Sequence, residues 1–485
     1  MGPLQSYLIS SASTFISLTK SSQHLTPKPA IAVAMENVFG TPPKAIHVYK
    51  DDDSGIAPTP LAGTNVEPMK RIWYHHSKAA HTYLSGKSLQ ELGTRFVELL
   101  SDVIAKDESI GSEWVERPDL YLFWQDQIFE AALGALFGPH LLRLNPTFTR
   151  DFWAYVGCMS TLMMGLPRWM TPKSWRARDK VLDEIKTWHR YAIAHSDPLE
   201  REGEKDWDDH WGSSYLKARY RFVSAISSMD EDAHAADDLA LIVAANANAI
   251  ISSVWFLLET LLEPTLVPRL QRELEIARRP SVRTGEVRFD VGVMCTQPLM
   301  QSIYAETLRL RMGLLINRTS QSKEVRMGPW KFPPNAPIAI STTTAATNPD
   351  IWSDARGKHP LDEFWADRFL VFPDDPESGP LRKPLPLQNI EKMSMPSDDA
   401  TNAPTFSLNG LGGGWIPYGA GEFMCPGRHL AKQEMIGSFA LFLASYEVQL
   451  KTPEGWMPKP DMSFFATGTM PPLGKIPFRV RRRSM

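Results

Sequence analysis

Residues Leu239 to Leu262 read LALIVAANANAIISSVWFLLETLL. A helix of this length is about 36 Å long. It would be apolar on every side, not along one stripe, so it belongs either in a bilayer or at the centre of a large protein. Asn246, Asn248 and Glu259 interrupt the run. Such groups are costly in lipid, so the sequence predicts a buried helix. A buried helix of this size needs other elements on all sides. The chain has the material, with 485 residues of which 43% are hydrophobic and 22% charged, an ordinary globular composition.

The flanking segments supply that wrapping. LQELGTRFVELLSDVIAK and LYLFWQDQIFEAALGALFG carry apolar residues at three- and four-residue spacing and read as helices within 69–137, the second stopping at Gly138. Further helices are expected in VLDEIKTWHRYAIAHS, WGSSYLKARYRFVSAISSM, PTLVPRLQRELEIAR, PLMQSIYAETLRLR and from Arg428 to Ala444. The stretch LINRTSQSKEVRMGPWKFPPNAPIAISTTT alternates between Pro and Gly breaks and reads as strands and turns. The tail SFFATGTMPPLGKIPFRVRRR reads as a hairpin. The fold class expected is mainly α with a small β part. Residues 1–65 read as an irregular N-terminal segment with room for one short element, and 66–485 as a single domain with a surface insertion at about 371–410.

Charge and cysteine usage exclude some classes of function. The formal net charge is −3, and no polybasic block invites nucleic acid. The closing RVRRRSM reads as a solvated terminus. Cys158, Cys295 and Cys425 are far apart and odd in number, which points to a reducing compartment without a disulfide framework. The first twenty residues are broken by serines and lack a positive leading region, so neither a signal peptide nor a spanning helix is expected. MGPLQS fits a myristoylation pattern formally, but Pro3 follows the glycine. The sequon at Asn317 has no meaning in a reducing compartment.

The chemistry-bearing stretch is GGGWIPYGAGEFMCPGRHLAKQEM. Cys425 stands just before a helix start, where unpaired N–H groups and the helix dipole favour an anion. Gly419 and Gly421 permit a tight loop passing close under a flat ligand, and Gly427 permits close approach of the helix. A nest holding a sulfur anion against a planar cofactor is one reading. A buried structural cysteine in a glycine-rich loop is the other.

YGAGEFMCPGR resembles the haem-ligand loop of the cytochrome P450 family, whose pattern is an aromatic, G-x-G, three residues and C-x-G. ETLR matches that family's E-x-x-R pair with Glu306 and Arg309. FWADRF, preceded by TNPDIW, matches the segment that adds Arg368. The four occur in the family's order. Residues i and i+3 share a helix face, so Glu306 and Arg309 can meet Arg368 as a structural scaffold through charge-assisted hydrogen bonds. AANANAI, with Ala247 and Asn248 where most of the family has an acid and a threonine, resembles the branch of the sterol 7-alpha-hydroxylases and prostacyclin synthase, as does ETLRLRMGLLINRT.

The resemblance implies haem b held by the Cys425 thiolate as the metal ligand. Gly419, Gly421 and Gly427 would serve as cofactor-binding positions and Arg318 as a partner of a haem propionate. It implies Asn248 as the catalytic residue ordering water, with Ala247, Leu314, Leu315, Thr469 and Met470 lining the substrate pocket. The activity implied is an NADPH- and O2-dependent monooxygenase. It would hydroxylate or epoxidise a lipophilic small molecule of terpenoid, steroid or polyketide-like secondary metabolism. A reductase would supply electrons at the surface of the endoplasmic reticulum membrane. Two alternatives stand beside it: a reductase-independent isomerase or dehydratase, and an inactive truncated relative. This sequence departs from the pattern in Phe423 two residues before the thiol, in Tyr418 where Phe is usual, and in Ser77 where an arginine is expected four residues after Trp73. The family's N-terminal anchor and first strands and helices are expected to be missing.

Overall fold

A computed structural model describes residues 6–10, 25–200, 205–279, 288–320, 324–327, 330–383 and 403–483. Among the described residues eleven helices have nine or more residues. They are α1 (Lys28–Asn37), α2 (Ile72–Tyr83), α3 (Gly86–Lys106), α4 (Leu120–Phe137), α5 (Phe148–Val156), α6 (Pro172–His195), α7 (Ser214–Ser224), α8 (Glu231–Leu262), α9 (Leu266–Ala277), α10 (Pro298–Arg311) and α11 (Arg428–Ser445). The strands of three or more residues are β1 (Tyr7–Ile9), β2 (Val115–Arg117), β3 (Met312–Ser320), β4 (Val325–Met327), β5 (Trp330–Phe332), β6 (Pro337–Ser341), β7 (Tyr446–Leu450), β8 (Thr467–Thr469) and β9 (Phe478–Arg482).

The apolar run is the axis, as its sequence demands. Asp230 caps α8 by accepting from the Ala233 amide, and Glu231 and Asp232 follow in the first turn, where the helix dipole favours negative charge. By length and composition α8 could cross a membrane, yet here it is sheathed in protein. It packs against α4, α6, α10 and α11, while α3 closes the bundle against α4 and α11. Phe256 meets Phe439 of α11 at 4.5 Å between ring centroids, and Trp124 of α4 meets Phe442 at 4.7 Å. Helix α10 is capped from a neighbour: the Glu273 carboxylate of α9 accepts the amides of Leu299 and Met300 at 2.8 and 2.9 Å.

The β part lies to one side. One sheet runs β1-β6-β3-β8, with Leu25–Thr26 also paired to β3. A smaller one runs β7-β9-β2. Ile9, Leu25, Ile316, Ile338 and Ile340 make a second, separate core beneath the first sheet.

Three sequence expectations change. Residues 6–65 hold more order than one short element: β1, α1 and the short helix His47–Asp51. Distant side chains order that proline-rich segment. Buried Arg71 donates to the carbonyls of Ala57 and Pro58 at 2.6 and 2.8 Å, and the Lys28 ammonium to that of Asp52 at 2.9 Å. The tail is not one hairpin, because β8 joins β3 whereas β9 pairs with β7 and β2. Nor is the basic end a solvated terminus. Arg481 pairs with Glu447 at 2.6 Å, and Arg483 donates to the Leu443 and Tyr446 carbonyls at 3.0 and 3.2 Å. Of the expected insertion, Leu370–Val371 pairs with Thr405–Phe406; residues 384–402 lie outside the described ones, as do Met1–Gln5 of the myristoylation pattern.

Candidate active site

The base of the site is a buried ion triad. Glu306 accepts from Arg309 at 2.7 and 2.8 Å and from Arg368 at 2.9 Å, and all three side chains are fully buried. Burial alone would push the Glu306 carboxyl up, but the charges of Arg309 and Arg368 outweigh it and leave it below its usual value. The remaining guanidinium N–H groups hold backbone. Arg309 donates to the Ala346 and Leu361 carbonyls at 2.7 and 2.6 Å, and Arg368 to that of Ser353 at 2.6 Å. The triad therefore fastens α10 to the segment that leads into the cysteine loop.

That loop is fixed to α10 a second time. Trp415 donates to the Ala305 carbonyl at 3.0 Å, and the hydroxyls of Tyr304 and Tyr418 meet at 2.7 Å. The tyrosine pair escaped the sequence reading, which noted Tyr418 only as a departure; no local pattern links two hydroxyls so far apart in sequence. Gly419 and Gly421 sit at φ +72° and +71°, the left-handed region that glycine adopts without penalty. The turn they make brings the Cys425 amide to the Tyr418 carbonyl at 2.9 Å. Gly427 is different. Its φ is −79°, and a Cβ there would meet the Cys425 sulfur at an ordinary 3.8 Å, so the chain itself does not require the glycine.

The Cys425 thiol is half-buried, and burial pushes it up. The backbone N–H groups of Gly427 and Arg428 and the Arg428 charge pull the other way without prevailing. N–H groups of the helix start do reach the sulfur, but desolvation outweighs them and leaves the thiol above its ordinary value. A metal cation would reverse that balance.

Arg318 gives the test of fit to an anionic cofactor. It is 7% exposed and donates only to the carbonyls of Asn317 and Ala420, at 2.9 and 3.2 Å. No carboxylate pairs with it among the described residues, and burial pulls its guanidinium down to about 10. A buried cation without a counter-charge is costly, and this one touches the cysteine loop itself. An anionic group beside that loop would complete it, which is what a haem propionate offers.

Helix α8 contributes an open stripe. Within its buried length Ala244 is exposed and Ala240, Leu241, Ala245 and Asn248 are half-buried; Leu241, Ala244, Ala245 and Asn248 have the i, i+3, i+4, i+7 spacing of one face. Ala247, expected in the pocket, is 8% exposed and turned away. The spacing of the small alanines was legible in AANANAI, but the helical phase was not. Leu314 and Leu315 are both half-buried, yet neighbours in a strand point to opposite faces. Leu314 shares the face of Ile316 and Arg318; Leu315 shares that of Asn317. Thr469 and Met470 are 2% and 3% exposed, and the Thr469 hydroxyl and the Met470 carbonyl are bound to α8, so both residues are buried against that helix. The Asn248 side-chain oxygen Oδ1 accepts the Thr469 amide at 2.9 Å, and the Asn248 backbone carbonyl accepts the Thr469 hydroxyl at 3.3 Å.

No protein-family model matches the chain. Among curated proteins it is 38% identical over 458 residues to cytochrome P450 monooxygenase fsoE of Humicola fuscoatra, covering 93% of this chain and 75% of that one. It is 35% identical to cytochrome P450 monooxygenase efuG of Hormonema carpetanum, covering 99% and 82%. At 23% identity, over 82% of this chain and 73% of the other, it is similar to cytochrome P450 7A1 of Rattus norvegicus. Among solved structures, the crystal structure of the cytochrome P450DA heme domain superposes with a TM-score of 0.65 at 14% identity, covering 98% of this chain and 88% of that one.

Proposed function

The chain belongs to the cytochrome P450 monooxygenases, and from that premise we propose that it hydroxylates or epoxidises a lipophilic small molecule of secondary metabolism, a terpenoid, steroid or polyketide-like compound. As a member of that family it is an oxidoreductase that uses haem with a cysteine thiolate ligand, O2 and a redox partner. When bound, the haem supplies the chemistry that activates O2 and places one oxygen atom on carbon.

The protein's own residues hold and shape that site. Cys425 would give the thiolate, and Gly419 and Gly421 would keep its loop free of side chains where the haem is held. Arg318 neutralises a propionate; its unpaired burial beside the cysteine loop is the observation that carries this reading. Glu306, Arg309 and Arg368 keep the loop at its height. On α8, the small side chains of Ala244 and Ala245 would leave room for a substrate and Leu241 would give an apolar wall, which suits a lipophilic molecule. With its Oδ1 held by the Thr469 amide, Asn248 has its NH2 group left to order water there.

NADPH, through a reductase, is the proposed electron source. The endoplasmic reticulum membrane surface is the proposed location, and a run of exposed apolar residues supports it. Met164 and Trp169 are 68% and 80% exposed, beside Met163 and Met170 and just ahead of Lys173 and Arg176. Such a mixture of Trp, Met and basic residues suits a lipid interface.

The test is the carbon-monoxide difference spectrum of the reduced protein. The red-shifted Soret band of thiolate-ligated haem is expected, and Cys425→Ser should abolish it. Failure to take up haem, or a band typical of another ligand, would overturn the assignment.

A further inference from the structure

The loop 459–473 is closed at its neck by the Asp461 amide on the Pro471 carbonyl and the Leu473 amide on the Lys459 carbonyl, both 2.7 Å. Its tip lies against α8 along a polar seam. The Thr469 amide donates to Asn248 Oδ1 at 2.9 Å, the Thr469 hydroxyl meets Ser252 Oγ at 3.0 Å, and Trp255 Nε1 donates to the Met470 carbonyl at 2.7 Å. Glu259 continues the line by pairing with Arg311, whose carbonyl accepts the Met470 amide at 3.0 Å. Asn248, Ser252, Trp255 and Glu259 follow one another at four, three and four residues and so share one helix face. Asn248 is the residue common to this seam and to the open stripe of α8.

The loop backbone is built around the Asn248 amide. A Cβ on Gly468 would lie 2.0 Å from Asn248 Oδ1, so only glycine can occupy that position while the side chain is where it is. Two residues earlier, Ala466 is held at φ +77°, a conformation unfavourable for a residue with a Cβ. A backbone N–H can only donate. The Thr469 amide therefore dictates which end of the Asn248 amide faces the loop and which faces the pocket.

We propose that Asn248 is a positioning residue that latches the 466–470 segment onto α8 and thereby sets how closely that segment approaches the open stripe of the pocket. The proposal rests on the haem-thiolate reading for the chemistry, but the latch exists in the polypeptide itself. It gives the asparagine at this place in the helix a task beyond ordering water, and it assigns Gly468 and Ser252 to the same device. An Asp at 248 would keep the acceptor for Thr469 and lose the donor. An Ala would lose both.

Two readouts on the haem-loaded protein test it: residue-resolved amide hydrogen exchange and spectral titration with 4-phenylimidazole. The Ala466 and Met470 amides donate to the Gly313 and Arg311 carbonyls and do not touch Asn248. In Asn248→Ala both should exchange about tenfold faster, as loss of one anchoring hydrogen bond implies, and probe affinity should change at least about threefold. Asn248→Asp should stay near the parent protein in both. Ser252→Ala, which leaves the pocket surface untouched, should shift the same two amides in the same direction, by about threefold. Unchanged exchange at Ala466 and Met470 in Asn248→Ala or Ser252→Ala would overturn the latch. So would Asn248→Asp matching Asn248→Ala in probe binding, which would assign the effect to the lost NH2 donor. A parent protein without the thiolate band, yet with the exchange pattern intact, would count against the haem assignment and leave the latch standing.

Discussion

At the scale of single residues, Arg318 shows how a group can be stable in the assembled enzyme and costly without its ligand. Its guanidinium is desolvated, and among the described residues its partners are the Asn317 and Ala420 carbonyls and the Phe423 ring, 5.7 Å from the centroid. Arg318→Met removes that penalty together with the counter-charge for a propionate. Two opposite effects are therefore expected. The haem-free chain should resist urea at least as well as the parent, while haem transfer to an acceptor apoprotein should speed up roughly ten- to a hundredfold, as loss of a charged hydrogen bond of about 1.5–3 kcal/mol implies. Slower or unchanged haem loss would remove Arg318 from the cofactor site. The residue was legible in the sequence through its resemblance to a family position. That no carboxylate among the described residues meets it was not, because a missing partner is a property of the packed interior.

At the scale of elements, the E-x-x-R pair and Arg368 were legible as a triad because helical geometry fixes the first two and chain order supplies the third. The structure adds what the triad holds: the segments around Ala346, Ser353 and Leu361, and through them the loop of Cys425. Glu306→Gln would leave two fully buried guanidinium groups without a counter-charge. A loss of roughly 3–5 kcal/mol is expected, visible as a lower urea midpoint and as loss of bound haem. The exposed Lys87–Glu91 pair on α3 is the control, and Glu91→Gln should leave the midpoint unmoved. The parts that the sequence misplaced, the proline-rich stretch around Asp52–Pro58 and the divided C-terminal tail, are those held by Arg71, Lys28 and the partner strands β3 and β7 and not by their own periodicity.

At the scale of the whole molecule, four elements converge on the head of α8: the short helix His47–Asp51, α2, α6 and α7. Tyr49 donates to Asp237 at 2.7 Å, His76 bridges Asp237 and Arg219, and His189 meets Asp238 at 2.8 Å. Nearby His234 is 8% exposed, and burial, with His189 adding to it, holds its imidazole down at about 4. Its folded value lies below the ordinary 6.5, so the unfolded chain takes up a proton that the folded one excludes. Stability from this group is complete above pH 6.5 and is lost as pH falls toward 4, at up to about 1.4 kcal/mol per pH unit. Urea midpoints at pH 7.5 and 5 for the parent and His234→Gln read this directly. The gap should shift in favour of the variant at the lower pH, and a gap that ignores pH would mean the imidazole is not held neutral.

Taken alone, the sequence determined the buried axis, the mainly helical class, the cysteine loop and the residues of the triad. These are local facts, written in periodicity, in helix-start chemistry and in the order of motifs. Only the tertiary structure decided which face of α8 is open, that Asn248 is shared between pocket and latch, that Tyr304 meets Tyr418, and that Arg318 is buried without an anion. Each depends on the helical phase or on a contact between residues distant in the chain. Burial, and the cost of leaving a polar group unpaired there, is set by what packs against a residue and not by what adjoins it in sequence.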